Sequence, residues 1–252
     1  SMSLLDDVSI VVTPNGYKAG ELYAVVPSDG AADMDVTRAT DATRVDEDGL
    51  IADVLANVPR IDYTGGGCPH ILAEPERTNL ITYSSDFSNV SWSKLAAGTG
   101  VVPVVTSNYG LSPDGTQNAD RIQFDLNGGT GGGDLSYISD FYTATGVSST
   151  NSIYLKSLST TKNIRLRCGG TFLSIDVTDD WQRFDITDTS SSDRFQLLLY
   201  GNLNSQDADL LVWGGQAEEG SYATSYIPTS GSTVTRNQDQ FTRDGIGSLI
   251  NS

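Results

Sequence analysis

The chain has 252 residues, with 15 Lys and Arg against 32 Asp and Glu and a formal net charge of −17, a length that suits one large β domain or a sandwich with an appended segment. The charge excludes an electropositive nucleic-acid surface as the main function; the acidic excess reads as a solubility device, against which local basic clusters stand out. No apolar run is long enough to cross a bilayer, and the first residues form neither a basic n-region nor an apolar h-region, so neither nucleic acid nor membrane insertion is expected.

Short alternating apolar runs separated by Ser, Thr, Gly, Asn and Asp predict an all-β protein. Ser1 reads as a cloning remnant ahead of a native Met. Residues 1–79 hold isolated strand candidates, Val8 to Thr13 and Glu21 to Val26, broken by Pro14-Asn15-Gly16 and Pro27-Ser28-Asp29-Gly30 turns. Leu50 to Leu55 has room for a helical turn or two before Pro59 stops it. Too few strands occur here to enclose a core, so 1–79 is expected to be a strap on the sandwich, anchored by Ile71, Leu72 and Leu80.

From residue 80 to 228 the strand signals become regular. Gly100 to Val105, Ala119 to Leu126, Leu135 to Thr143, Ser152 to Lys156, Asn163 to Cys168, Thr171 to Val177, Trp181 to Ile186, Arg194 to Tyr200 and Asp209 to Gly214 suit a two-sheet antiparallel, jelly-roll-like sandwich. Residues 229–252 turn polar and read as a tail or a linker toward a further domain.

Two phrases stand out. The first runs from Arg38-Ala39-Thr40 through Thr43-Arg44-Val45-Asp46, Asp48-Gly49-Leu50-Ile51 and Asn57-Val58-Pro59-Arg60-Ile61-Asp62-Tyr63 to Cys68-Pro69-His70-Ile71-Leu72-Ala73-Glu74-Pro75-Glu76-Arg77-Thr78-Asn79-Leu80; the second is Val212-Trp213-Gly214-Gly215-Gln216-Ala217-Glu218-Glu219-Gly220-Ser221-Tyr222-Ala223-Thr224-Ser225-Tyr226-Ile227-Pro228-Thr229. Together they resemble a family of bacteriophage virion and tail-associated proteins, also found in prophages, whose middle segment is a β-sandwich like those of carbohydrate-binding modules. The resemblance covers most of the chain.

It implies a virion component assembled in the bacterial host cytoplasm: a tail, fibre or head-decoration protein, non-enzymatic, whose sandwich either binds host-surface or environmental polysaccharide or holds the assembly together. The expected partners are that glycan, other virion proteins and further copies of the chain, a trimer ahead of other states. A purely structural assembly module and a polysaccharide depolymerase component are the alternatives. In the family the closing phrase Asp244-Gly245-Ile246-Gly247-Ser248-Leu249-Ile250-Asn251-Ser252 leads into a further C-terminal domain, so the chain is expected to be cut from a longer protein. The sandwich type also admits a structural Ca²⁺; no EF-hand string is present, and Asp86, Asp120 and Glu218 are candidate ligands.

Other chemistry is weaker in the sequence. Asn127-Gly128-Gly129-Thr130-Gly131-Gly132-Gly133 lacks the Gly-Lys-Ser/Thr of a phosphate loop and reads as a flexible connection. His70 is the single histidine; with Cys68 it falls short of a zinc ligand set and, lacking a Gly-x-Ser-x-Gly, of a triad. Glu74 with Glu76 and Glu218 with Glu219 are the obvious carboxylate pairs for a glycosidase. Capping turns, or pairing with Arg44, Arg60 and Arg77, is the plainer reading of them. Cys68 and Cys168 are expected to be reduced, buried thiols, and Trp92, Trp181 and Trp213 to be packed rather than ligand platforms.

Strand alternation gives one sharper expectation. If Ile153, Leu155, Ile164, Leu166, Cys168, Leu197 and Leu199 face the core, period two sends Tyr154, Lys156, Arg165, Arg167, Gln196 and Tyr200 the other way. Should these strands share a sheet, they form a patch of rings, cations and an amide. Tyr154, Lys156, Arg165, Arg167 and Tyr200 are therefore the candidate glycan-binding residues, suited to sugars with acidic substituents. A solvated or subunit-covered sheet face is the plainer alternative. No catalytic residue is assigned.

Overall fold

The computed structural model of the protein describes residues 8–146, 148–189 and 193–249; Ser1, Met2 and the closing Ile250-Asn251-Ser252 lie outside them. Among the described residues the chain is all-β. The strands are β1 (Val11–Lys18), β2 (Glu21–Val26), β3 (Met34–Thr37), β4 (Ala42–Val45), β5 (Ile51–Val54), β6 (Arg60–Asp62), β7 (His70–Leu72), β8 (Arg77–Asn79), β9 (Ser93–Ala97) and β10 (Val101–Gly110). They continue with β11 (Ala119–Asp125), β12 (Leu135–Phe141), β13 (Ser149–Ser157), β14 (Lys162–Cys168), β15 (Thr171–Val177), β16 (Gln182–Asp188), β17 (Arg194–Tyr200), β18 (Asp207–Glu219), β19 (Val234–Arg236) and β20 (Gln240–Thr242).

The chain divides into two compact units, residues 78–234 and residues 1–77 with 235–252. The larger is a jelly-roll-like sandwich of two five-stranded antiparallel sheets, a first ordered β10-β11-β18-β13-β16 and a second ordered β15-β14-β17-β12-β9. Alternation explains the stack, because each strand offers one apolar row. Ile122, Phe124, Ile153, Leu155, Leu210 and Val212 come inward from the first sheet, and Ile138, Ile164, Leu166, Cys168, Phe195, Leu197 and Leu199 from the second. Trp92 is fully buried among them, its ring edge-on to Phe195 at 5.3 Å and tilted against Phe87 at 4.8 Å. All seven positions assigned inward from alternation lie in this core.

Three local features add to or depart from the sequence expectations. Ser93–Ala97 is an edge strand that the sequence hides, because its one large apolar residue, Leu95, faces out. Trp181 is half-buried just before β16, donating from Nε1 to the Leu111 carbonyl at 3.1 Å, and is not a core residue. Leu50 to Leu55 is not helical: β5 pairs with β4 across a turn in which Asp46 Oδ1 accepts from the Asp48 and Leu50 amides at 3.0 and 2.9 Å. Local turn chemistry outweighs the apolar run there.

The expected strap at 1–79 and separate polar tail at 229–252 instead join, β20 completing the smaller unit. β20 pairs with β3 in the register Gln240↔Thr37, Phe241↔Val36 and Thr242↔Asp35, closing a four-stranded sheet β1-β2-β3-β20 beside the hairpins β4-β5 and β6-β7. Its apolar interior is thin, with Leu22, Ala32, Val36, Ala42, Val54 and Ile61 buried. Polar contacts fill the remainder. Arg38 donates to Asp239 at 2.9 Å and to the carbonyls of Thr40, Val54, Leu55 and Val58. Arg60 forks onto Asp239 and meets Glu74 at 2.9 Å, and Arg236 reaches the same Glu74 oxygen at 2.8 Å. The Arg38-to-Glu74 phrase of the sequence is thus the scaffold of this unit.

Candidate functional site

The outer face of the second sheet gathers the cations. Because Ile164, Leu166 and Cys168 point inward on β14, Arg165 and Arg167 stand outward; on β17 the same parity turns out Arg194, Gln196, Leu198 and Tyr200. Register then sets the neighbours. Arg167 lies opposite Phe172 on β15 and Gln196 on β17, Tyr200 opposite Leu135 on β12, and Arg194 opposite Phe141. Each guanidinium covers a ring: Arg165 over Tyr200 at 4.4 Å, Arg167 over Phe172 at 4.6 Å and Arg194 over Phe141 at 4.9 Å.

Arg165, Arg167, Arg194, Gln196, Tyr200 and Phe172 line an open groove of about 400 Å³. Gly132, from the glycine-rich connection, forms one end of it, and a Cβ there would come within 2.8 Å of the Tyr200 hydroxyl. The run is therefore a close approach of backbone to an aromatic wall. Asp134 orders the loop, its carboxylate accepting from the Thr99 amide at 2.9 Å and the Gly131 amide at 2.8 Å, which holds its pKa below the usual value.

Electrostatically the groove is positive. Arg165, Arg167 and Arg194 make no ion pair among the described residues. Arg167 is held by neutral acceptors, Gln196 Oε1 at 2.9 Å and the Gly169 carbonyl at 2.6 Å. Its pKa is lowered, first by burial and then by the like charge of Arg194; Asp193 and Tyr137 act in the opposite direction.

Of the five candidate residues, the structure brings together Arg165, Arg167 and Tyr200. Tyr154 and Lys156 are not beside them, because β13 belongs to the first sheet, between β18 and β16. Tyr154 packs there edge-on to Trp213 at 5.5 Å under the Arg183 guanidinium, and Lys156 lies opposite Leu211. On that face Arg121 pairs with Asp209 at 2.5 Å. Sequence reasoning missed Arg194, Phe172, Phe141 and Tyr137. Arg194 was open to it, sharing the parity of Gln196 and Tyr200; the rings on β12 and β15 needed the register.

The other candidate groups have structural partners. Glu74 is held by arginines, and Glu76 accepts from Asn237 at 2.8 Å. Glu218, fully buried, accepts from Gln216, from the Thr224 amide at 2.8 Å and from the Thr224 hydroxyl at 2.6 Å. Glu219 accepts from the amides of Thr145 and Gly146. Asp86 folds onto Ser88 and Asn89, while Asp120 accepts from the Phe87 and Asn108 amides with its pKa raised by burial. Among the described residues no three His, Cys, Asp or Glu side chains converge to hold a metal. His70 Nε2 sits 3.5 Å from Asp62. Cys168 is buried, its thiol donating to the Ser149 carbonyl at 3.4 Å, but Cys68 is exposed rather than buried, carried on the glycine turn before β7.

No protein-family model matches the chain, and no curated protein matches it. Solved structures with a similar sandwich include the family 11 carbohydrate-binding module from Clostridium thermocellum in complex with a β-1,3-1,4-mixed-linked tetrasaccharide, at TM-score 0.43 and 11% identity over 63% of this chain and 99% of that one. TmCBM61 in complex with β-1,4-galactotriose is similar at TM-score 0.39 and 9% identity, over 55% of this chain and 97% of that one. The enzymatically active domain of tailspike protein 4 from bacteriophage CBA120 is similar at TM-score 0.37 and 9% identity, over 55% of this chain and 21% of that one. The likeness is one of fold.

Proposed function

We propose that this chain is a non-enzymatic virion component whose sandwich binds a glycan on the outer face of the second sheet. The observation that carries the reading is the groove itself, in which Arg165 and Arg167 lie over Tyr200 and Phe172 and, with Arg194, make no ion pair among the described residues, in a chain of net charge −17. Aromatic walls suit the apolar faces of sugar rings, and fixed donors suit their hydroxyls. A groove open along a sheet also accepts a polymer, whereas a closed pocket takes a small molecule. The virion placement rests on the two sequence phrases.

The test is a glycan array with the parent beside Tyr200→Ala and Arg165→Ala, each checked for fold by circular dichroism. A loss of about tenfold is expected for each, the ~1.4 kcal/mol of one stacked contact. Tyr154→Ala, on the other sheet, is expected to bind as the parent does. Retention by both groove variants with loss in Tyr154→Ala moves the site to the first sheet. Absence of any ligand favours the assembly-module reading, and release of new reducing or unsaturated ends from a bound polymer favours the depolymerase.

A further inference from the structure

We infer that Arg167 and Arg194 together form a seat for the oxyanion substituent of an acidic polysaccharide, so that the glycan class taken by this face carries carboxylates or sulfates. The inference rests on the glycan-binding reading of the same groove. Both side chains line it, from adjacent strands, and neither is ion-paired among the described residues. Arg167 and Arg194 are close enough for the like charge of one to depress the other, and an oxyanion seated between two adjacent cations relieves that repulsion.

The pair is also fixed from beneath. Asn151, fully buried on β13 of the opposite sheet, donates from Nδ2 to the Arg167 and Arg194 carbonyls, each at 3.0 Å, while its Oδ1 accepts from the Tyr142 hydroxyl at 2.9 Å. One amide thus ties β14 to β17 at the two arginines, and Gly169 adds a backbone bond to the same Arg194 carbonyl at 3.0 Å. These bonds fix the backbone from which both side chains rise, and the Arg167 guanidinium is itself held by Gln196 and the Gly169 carbonyl; planar guanidiniums are the geometry that matches carboxylate and sulfate oxygens. Phe172 and Phe141 support the forks from one side and shed water there, which strengthens a charge contact. Arg165 differs in lying over Tyr200 with Ser174 as its neighbour at 3.3 Å, a stacking position at the other end of the groove.

The experiment titrates polygalacturonate, dextran sulfate and neutral dextran into the intact chain at fixed ionic strength, with Arg167→Gln, Arg194→Gln and, on the first sheet, Arg121→Gln. The parent is expected to prefer an acidic polymer over dextran by at least tenfold. Each groove variant should lose about tenfold for that polymer, while Arg121→Gln keeps parental affinity. Preference for polygalacturonate identifies carboxylate as the substituent, and preference for dextran sulfate identifies sulfate. Arg194→Lys, which keeps the charge and loses the fork, should bind between parent and Arg194→Gln, and guards against a folding artefact. In parallel, sodium glucuronate and sodium sulfate should move the Arg167 and Arg194 Nε–Hε resonances, and glucose should not. If dextran binds as tightly as the acidic polymers and Tyr200→Ala weakens all three, glycan binding stands and the anion seat is overturned. If none of the three binds and no resonance moves, both readings fall.

Discussion

The larger unit closes around Trp92, Phe195, Leu166 and their neighbours, whereas the smaller unit puts Arg38, Arg60 and Arg236 in its interior and matches them with Asp239 and Glu74. An apolar core tolerates loss of one contact in proportion to the volume removed. A buried ionic core does not, because deleting one partner leaves a charge that neither water nor protein solvates. The contrast places the largest sensitivity at single polar residues in the smaller unit.

Asp239→Ala is the sharpest way to break the comparison. It strands Arg38 and Arg60 and should cost the smaller unit about 3–5 kcal/mol, seen in hydrogen exchange as loss of protection in β3 to β6 with protection in the sandwich retained. Uniform loss in both units would show that the interiors are not energetically distinct. Leu166→Ala is the counterpart, expected to cost the sandwich about 3 kcal/mol, with the smaller unit keeping its protection.

Acid should separate the units in opposite directions. Burial raises the Asp140 carboxyl in the sandwich from 3.8 to about 6. The folded state therefore holds this proton more tightly than the unfolded chain, and roughly 2–3 kcal/mol of stability present below pH 4 is lost as pH rises to 6. For Asp239 burial pushes upward, but hydrogen bonds and charge from Arg60, with the Glu74 amide and Arg38, bring it below its ordinary value. Its stabilisation is present above pH 4 and lost as pH falls. Urea titrations read by exchange should show the sandwich gaining between pH 7 and pH 4, with Asp140→Asn flattening that response, and the smaller unit losing only as pH falls below about 4. The smallest effect is expected from Arg121→Ala. Its pair with Asp209 is partly exposed, and its removal should change stability by less than ~1 kcal/mol in a thermal melt.

The sandwich was readable in the sequence because its strands are amphipathic with period two, so Ile164, Leu166, Cys168, Leu197 and Leu199 declared the inner row without any knowledge of pairing. What that pattern does not carry is which strands share a sheet. β13 and β14 are joined by residues 158–161 alone, a spacing that invites a hairpin, yet the chain crosses between sheets there and takes Tyr154 and Lys156 to the other face. Half of the proposed groove was therefore legible and half depended on topology. The smaller unit was misjudged for another reason. Its ties join Arg38 and Arg60 to Asp239, which stand 201 and 179 positions away, and charged pairs at that range leave no periodic trace.

The return of the last strand to β3 has a consequence for how the chain is made. Synthesis delivers residues 1–77 first and withholds 235–242 until the whole of 78–234 has been translated. The sandwich is contiguous and can fold as a unit while the ribosome is still at work. The earlier-made segment meanwhile waits with Arg38 and Arg60 hydrated and its sheet edge at β3 open. Of the two units, the one begun first is thus the one finished last, and its closing signal is the arrival of Asp239.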